Sequence, residues 1–324
     1  MARHLDLGLC FHREAAASTV IEVARAAEEV GFDEFWVIED CFYTAGISLA
    51  TAALTATERI GVGLGIMPAV ARQPAITAME VATVANLAPG RFHAGIGHGM
   101  REWMEQMGAW PDSPLTTLGE TITVVRRLLT GDEVTVRGKV VTLDAVRLDA
   151  PPEPVPLVSA GVRGPKSLAL SGAVADGTIL ADWVSPEYVR WARERIDEGS
   201  EGGEHRLTVF ANVAVADNGD AVREALAPQL AAACAEDPPP SLRAAPFFEE
   251  LSARADDVGW QAAIAAMPPE WWSRIGPIGS PDDAAAYLNG LAEAGVDAVA
   301  MFPHPADPVG DAHLLAEAVL PLVT

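Results

Sequence analysis

The sequence predicts a single α/β domain folded as a (β/α)8 barrel, and three observations predict it. Short apolar runs bounded by turn residues alternate with helix-length stretches along most of the chain. Glycine-rich segments stand at the exits of those runs, most densely at Gly97-His98-Gly99 and from Gly161 to Lys166. The 324-residue length suits one such barrel or two smaller domains, and the repeated alternation selects the barrel over 1–324.

The elements follow in order. His4 to Phe11 reads as the first strand, and Ala15 to Val30 as a helix that stops at Gly31. Phe35 to Ile38 is the second strand, with Glu39-Asp40-Cys41 at its exit. A helix over Ile47 to Thr57 leads into strand Ile60 to Ile66, and Met67-Pro68 is read as a turn. Pro74 opens the helix Ala75 to Leu87. Phe92 to Ile96 is the fourth strand, bracketed by Pro89-Gly90 and Gly97-His98-Gly99.

The alternation breaks at Trp103 to Trp110, a loop or short helix over the strand ends, before the helix Leu115 to Leu129. Glu133 to Leu148 reads as a hairpin turning at Arg137-Gly138-Lys139. Then come strand Pro156 to Ala160, helix Lys166 to Val174, strand Gly177 to Ala181 and helix Pro186 to Glu198. Leu207 to Val215 is the seventh strand, and a helix starts at Asp220. The Pro-rich segment 237–277 is read as an insertion, helical in part, over one end of the barrel. Ser280-Pro281-Asp282-Asp283 is a strong helix start, Val296 to Phe302 the eighth strand, and Ala312 to Leu322 closes the chain.

Composition narrows the function. A net charge of −23 argues against nucleic acid or an anionic membrane as partner. Cys10, Cys41 and Cys234 lack metal-like spacing and cannot all pair, which fits a reducing compartment. With no signal-peptide pattern and no apolar run of membrane-spanning length, the expectation is a cytoplasmic protein. No His-x-His, His-Glu-x-x-His or Cys-x-x-Cys pattern suggests a metal, and no Gly-x-Ser-x-Gly elbow suggests a serine nucleophile.

In a barrel of this kind the active site lies at the carboxyl ends of the strands. That rule selects His12, Glu39-Asp40-Cys41, Gly65-Ile66-Met67, Gly97-His98-Gly99, Gly161 to Lys166, Asp182-Trp183 and Pro303-His304. Gly164 and Pro165 begin a helix, so free N–H groups and the helix dipole converge beside Arg163 and Lys166. With Gly97-His98-Gly99 alongside, these loops would cradle a phosphate; alternatively the glycines only shape turns and Gly-Pro only starts the helix. Glu39 and Asp40 are candidate proton donors or acceptors, or a solvated pair. Trp103, Trp110 and Trp183 either wall a pocket for a flat ring or serve ordinary packing, and Trp36 belongs to the core. A phosphate cradle without metal or nucleophile fits a phosphate-bearing cofactor that carries the chemistry.

Three stretches carry a resemblance. Gly61-Val62-Gly63-Leu64-Gly65-Ile66, Ala88-Pro89-Gly90-Arg91-Phe92 with Gly95-Ile96-Gly97-His98-Gly99, and Ala160-Gly161 with Gly164-Pro165-Lys166 and Ala175-Asp176-Gly177 resemble the bacterial luciferase-like superfamily. Within it the chain is similar to the deazaflavin-dependent oxidoreductases that use coenzyme F-420, including methylenetetrahydromethanopterin reductase-like proteins. The resemblance covers about residues 4 to 215 and resumes near Gly279.

It implies a (β/α)8 barrel, usually dimeric, with a non-prolyl cis peptide at Gly65-Ile66 behind the cofactor ring. It also implies cofactor phosphate between Gly97, His98, Gly99 and the segment Ala160, Gly161, Gly164, Pro165, Lys166. Many relatives carry an acid followed by histidine after strand two; here the pair is Glu39-Asp40, with Cys41 next. Some place glutamate directly after the strand-four glycines; here Met100 stands there, with Glu102 two residues on.

The resulting expectation is hydride transfer between F-420 and a small organic substrate, with Asp40 or Glu39 as proton relay. The alternatives are an FMN-dependent monooxygenase of the same superfamily and a non-catalytic deazaflavin-binding protein.

Overall fold

Eight parallel strands close on themselves in the computed structural model of the chain, which describes residues 4–323. They are β1 (Asp6–Phe11), β2 (Glu34–Val37), β3 (Gly61–Pro68), β4 (Phe92–Gly97), β5 (Leu157–Gly161), β6 (Gly177–Ala181), β7 (Arg206–Asn212) and β8 (Ala298–Phe302). Each strand pairs with its neighbours in sequence, and β8 returns to β1 through the register Asp6↔Ala298 to Leu9↔Met301. The predicted barrel is therefore the observed one. Buried Val, Leu, Ile and Ala from the strands and the surrounding helices form the layer between barrel and helices. Among the described residues, no helix is long and apolar enough to cross a membrane.

The outer helices follow the predicted order, including α1 (Val20–Val30), α2 (Gly46–Ala56), α3 (Pro74–Leu87), α4 (Arg101–Gln106), α5 (Pro114–Leu129), α6 (Pro165–Val174) and α7 (Pro186–Gly199). Gly31 ends α1 at φ 95°, a left-handed conformation in which a β-carbon would be strained. The predicted hairpin is present as Val134–Arg137 paired antiparallel with Thr142–Val146.

The closing helix spans Pro308–Ala318 rather than Ala312 to Leu322, and two strand ends differ from the sequence reading. Met67-Pro68 does not turn the chain but continues β3, because a register shift between Leu64 and Met67 lets the strand resume pairing with β4. The Gly65-Ile66 peptide at that shift is cis. The seventh strand does not run to Val215: β7 ends at Asn212, and Ala214–Val215 leaves the barrel to pair with Ile278–Gly279.

This small ribbon forms the neck of a helical layer made of α8 (Gly219–Glu236), α9 (Pro240–Arg243), α10 (Phe248–Val258), α11 (Trp260–Ala265) and α12 (Pro269–Trp272). The layer begins before the Pro-rich segment, and α8 carries Pro228 within it. It has its own core, with Leu230, Leu242, Leu251, Ile264, Trp272 and Ile278 all buried. Beyond the neck, α13 (Pro281–Glu293) starts where its sequence predicts, and Ser280 and Asp283 form a capping box there, each accepting from the other's backbone N–H.

Large side chains fill the lumen because glycines make room for them. Trp36, Phe210, Ile38, Cys10, Ile179 and Ala300 are buried together inside the barrel. A β-carbon on Gly63 would fall inside the Trp36 indole, and one on Gly65 would lie 2.6 Å from the Phe210 ring. Trp36 Nε1 donates to Glu34 at 2.8 Å, and Glu34, Asp6 and Arg206 close the barrel's amino end, with Arg206 donating at 2.8 and 2.7 Å. Gly63→Ala must push the indole aside, and overpacking of this kind costs about 1–3 kcal/mol. Urea unfolding should register that loss; an unchanged midpoint would mean that Trp36 can be displaced freely.

Candidate active site

The carboxyl ends of the strands frame a mouth with an apolar floor. Ile66, Ala181 and Phe302 are partly exposed and pack on the lumen cluster below, at the ends of β3, β6 and β8. Ile66 sits between the next two strands, since β-carbons on Gly97 and Gly161 would come within 2.9 and 2.6 Å of its side chain. These two glycines thus act first through packing. They are what allows an isoleucine to stand there.

Beside that floor, β4 and β5 are hydrogen-bonded neighbours, with Gly97 opposite Gly161. Their exits come together, as the sequence reading required: His98 Nε2 lies 3.4 Å from the Ser167 hydroxyl in the first turn of α6. Gly164 is the N-cap of that helix and offers no side-chain cap, so its first N–H groups keep their capacity to bind an anion. Burial lowers the His98 pKa, opposed by a hydrogen bond to the Pro114 backbone, so the imidazole is neutral at pH 7. Lys166 is exposed on the same turn. Tyr188 from α7 donates to the Arg163 carbonyl at 2.7 Å and fixes the loop from behind.

The two acids after β2 have different surroundings. Glu39 is gripped through both oxygens by Arg72, and it also accepts the Gly46 N–H at 3.0 Å, at the start of α2. Arg72 reaches on to Glu80 of α3 at 2.9 Å. Glu39 is therefore a brace between two helix starts. Among the described residues Asp40 has one ion-pair partner, Arg13 at 2.9 Å, whose guanidinium also lies over the Tyr43 ring at 5.1 Å.

Asp40 and His304 both act electrostatically on His12, so the exits of β1, β2 and β8 bring titratable groups together. Burial is the main influence on His12 and lowers its pKa. Its Nδ1 accepts the Glu14 N–H at 3.2 Å, which leaves the ring proton on Nε2. Cys41 stays a thiol, because burial and the Glu39 and Asp40 carboxylates raise its pKa.

At the β6 exit, Asp182 and Trp183 are consecutive non-glycine residues with φ 66° and 52°. Such backbone is costly and persists only where its surroundings hold it. Here Trp183 is buried in the core of the helical layer, the Asp182 carbonyl accepts the Ser241 hydroxyl, and its carboxylate pairs with Arg163 at 3.0 Å. Trp183 therefore anchors the layer instead of walling the mouth. Trp103 and Trp110 remain partly exposed on the segment above β4, with Arg101 over the Trp110 ring at 5.4 Å.

Sequence reasoning missed Arg72, Arg13 and Ser167 as members of this frame. An arginine following a strand by several residues has no pattern of its own; Ser167, in the first turn behind Gly-Pro, was the more readable. At the opposite end of the barrel, His4, Asp6 and Asp33 converge, but Asp6 already pairs with Arg206 and Asp33 accepts the Leu7 N–H.

Comparison with known proteins agrees with this geometry. The luciferase-like monooxygenase family matches residues 8–298, and the chain belongs to that family of oxidoreductases. It is 26% identical over 311 residues to the 5,10-methylenetetrahydromethanopterin reductase of Archaeoglobus fulgidus, covering 92% of this chain and 93% of that protein. It is 32% identical over 223 residues to an F420-dependent glucose-6-phosphate dehydrogenase of Gordonia bronchialis, covering 63% of this chain and 65% of that one. The coenzyme F420-dependent tetrahydromethanopterin reductase of Methanopyrus kandleri has the same fold, with TM-score 0.82 and 21% identity over 99% of this chain and 100% of that one.

Glu39→Gln keeps the shape but removes the charge that holds Arg72. Losing a charge-assisted hydrogen bond in a largely buried pair costs about 2 kcal/mol, and chemical denaturation should show a shift of that order. No shift would mean that Glu80 alone suffices to hold Arg72.

Proposed function

We propose that the chain is a coenzyme F-420-dependent oxidoreductase that moves a hydride between the deazaflavin and a small organic substrate. The observation that carries this reading is an apolar floor one strand away from an anion cradle, the two parts a flat ring with a phosphate-bearing tail requires. The names of the relatives favour F-420 over other flavins. The residues suit that cofactor: Gly65, Ile66, Ala181 and Phe302 for the ring, and Gly97, His98, Gly99, Ser167 and the turn from Ala160 through Gly161, Gly164 and Pro165 for phosphate. Lys166 and Arg163 are exposed on the same loop and helix start and would offer positive charge to an acidic tail. When bound, the deazaflavin supplies a ring carbon that gives or takes a hydride.

The chain's own contribution is positioning, exclusion of water and proton traffic. The apolar floor would support a planar ring, and His98, whose pKa burial lowers, would offer a hydrogen bond. A hydride added to a carbonyl, imine or alkene must be matched by a proton. Asp40, with one ion-pair partner and with His12 and His304 nearby, suits that relay better than Glu39, whose two oxygens are engaged. In this reading Glu39 positions Arg72 and α2.

We further propose that two copies associate through α2 and α3. The first of these helices carries no charged residue, and the second exposes Ile76, Met79 and Leu87. In a chain of net charge −23, an apolar face whose single acid, Glu80, is paired with Arg72 is where a second copy can approach with little repulsion. Met79→Glu should then turn a dimer into a monomer by light scattering after size exclusion, whereas a monomeric parent protein would refute the assembly.

Titration with F-420 and separately with FMN, followed by tryptophan quenching, tests the cofactor. Tight F-420 binding with weak FMN binding is the expected result; the reverse would favour an FMN-dependent monooxygenase. Asp40→Ala should slow turnover by roughly 100-fold with cofactor affinity little changed. Unchanged kinetics would remove Asp40 from the mechanism, and turnover with any acceptor would exclude a purely cofactor-binding protein.

A further inference from the structure

The exits of β8, β1 and β2 are consecutive around the barrel, and β1 stands four strands from β5 in either direction. His12 and the anion cradle therefore lie on opposite rims of one mouth. His12 leaves β1 partly exposed, with its ring edge-on to Phe302 of the floor, centroids 6.2 Å apart and planes at 86°. A group resting on that floor meets an imidazole at its margin.

The chemistry of that imidazole is set locally. Nδ1 accepts the Glu14 N–H at 3.2 Å, so the neutral ring carries its proton on Nε2. A proton on Nδ1 would set N–H against N–H, which favours the neutral form as burial does. Nε2 itself has no hydrogen-bond partner among the described residues, yet it is not shut off from solvent. His304, at the exit of β8, repeats the device: its Nδ1 accepts the Ala306 N–H at 3.3 Å, and its ring is exposed. Two neighbouring strand exits thus present imidazoles in the same tautomer, each with Nε2–H as its donor.

The charges around His12 decide what such a donor can recognise. Arg13 donates to Asp40 Oδ2 at 2.9 Å and is compensated by it, and Glu14 adjoins the pair. This rim therefore offers N–H donors without net positive charge. A carboxylate would gain no cation there and would face Asp40 and Glu14. An alkene has no atom to accept the bond, and a protonated imine would meet donor with donor. A neutral carbonyl fits. We infer that His12 is a substrate-recognition residue, its Nε2–H donating to the carbonyl oxygen of a neutral ketone or aldehyde laid on the floor at the rim opposite the anion cradle. The inference rests on the hydride-transfer reading of the mouth and narrows its acceptor from any unsaturated group to a carbonyl.

Cyclohexanone, a neutral ring with one carbonyl, is the probe, and cyclohexanecarboxylate its charged counterpart. Imidazole ¹⁵N NMR of the whole histidine-labelled protein, with and without F-420, reads His12 directly. The free protein should show the Nε2–H tautomer, and cyclohexanone should move the His12 Nε2 signal saturably where the carboxylate does not. His12→Phe keeps a ring against Phe302 and removes the donor. It should weaken cyclohexanone binding about five-fold, the worth of one hydrogen bond, with F-420 affinity unchanged. His12→Gln, which restores an N–H donor, should recover most of that loss. An Nδ1–H tautomer, a His12 signal unmoved by saturating ketone, tighter binding of the carboxylate, or His12→Phe binding the ketone as the parent does would overturn the assignment. Failure of F-420 to quench tryptophan fluorescence would instead overturn the cofactor reading, and the ketone titration of the free protein would still decide the role of His12.

Discussion

The packing of Trp36 against the backbone of β3 is the constraint on which the rest of the barrel depends. An indole can occupy the lumen only because position 63 has no side chain, and its N–H must then find an acceptor in an apolar interior. Glu34 accepts it, and a carboxylate that is 5% exposed needs a cation in turn, which Arg206 supplies. One bulky residue thus ties β2 to β3 by shape and to β7 by charge. Phe210 packs edge-on against it at 5.1 Å and requires the same concession from Gly65. The height of the floor above follows, because Ile66, Ala181 and Phe302 rest on this layer.

Charge is arranged the opposite way. The floor carries none, while the rim carries it in pairs: Glu39 with Arg72, Asp40 with Arg13, Asp182 with Arg163. In a protein with 45 acidic and 22 basic residues, the acids outnumber the cations about two to one, and where a cation is placed is informative. At the rim each arginine links two strand exits or a strand exit to a helix. Carboxylates held this way shape the mouth as much as they charge it. Glu39 is held through both oxygens, whereas Asp40 is paired with Arg13 alone among the described residues, so the two neighbouring acids are anchored differently.

The barrel was legible in the sequence because each unit announces itself locally: an apolar run, a glycine or proline, an amphipathic helix. The helix start at Ser280 and the stop at Gly31 were legible for the same reason. Places where tertiary pairing overrides local preference were not. Met67-Pro68 looks like a turn, yet it is strand because the register slips by the residues just before it. Val213 to Val215 looks like more of β7, yet it swings out to meet residues more than sixty positions away. The site was half legible. Glycine loops and carboxylates at strand exits follow from the barrel rule, but Gly97 and Gly161 also serve Ile66, and no reading of one segment reveals a side chain arriving from another. Arg72 and Arg13 are defined only by partners distant along the chain.

The neck of the helical layer carries a consequence for how such proteins diversify. Its two ends run side by side at Ala214–Val215 and Ile278–Gly279, and Arg223 clasps them by reaching Asp220 at 2.8 Å and Asp283 at 2.6 Å. A segment that leaves and rejoins a scaffold at one point behaves as a cassette: it can grow, shrink or be exchanged while the strands keep their register. Because the layer has its own core and is anchored to the β6 exit by Trp183, it can change its outer contours without renegotiating the barrel beneath.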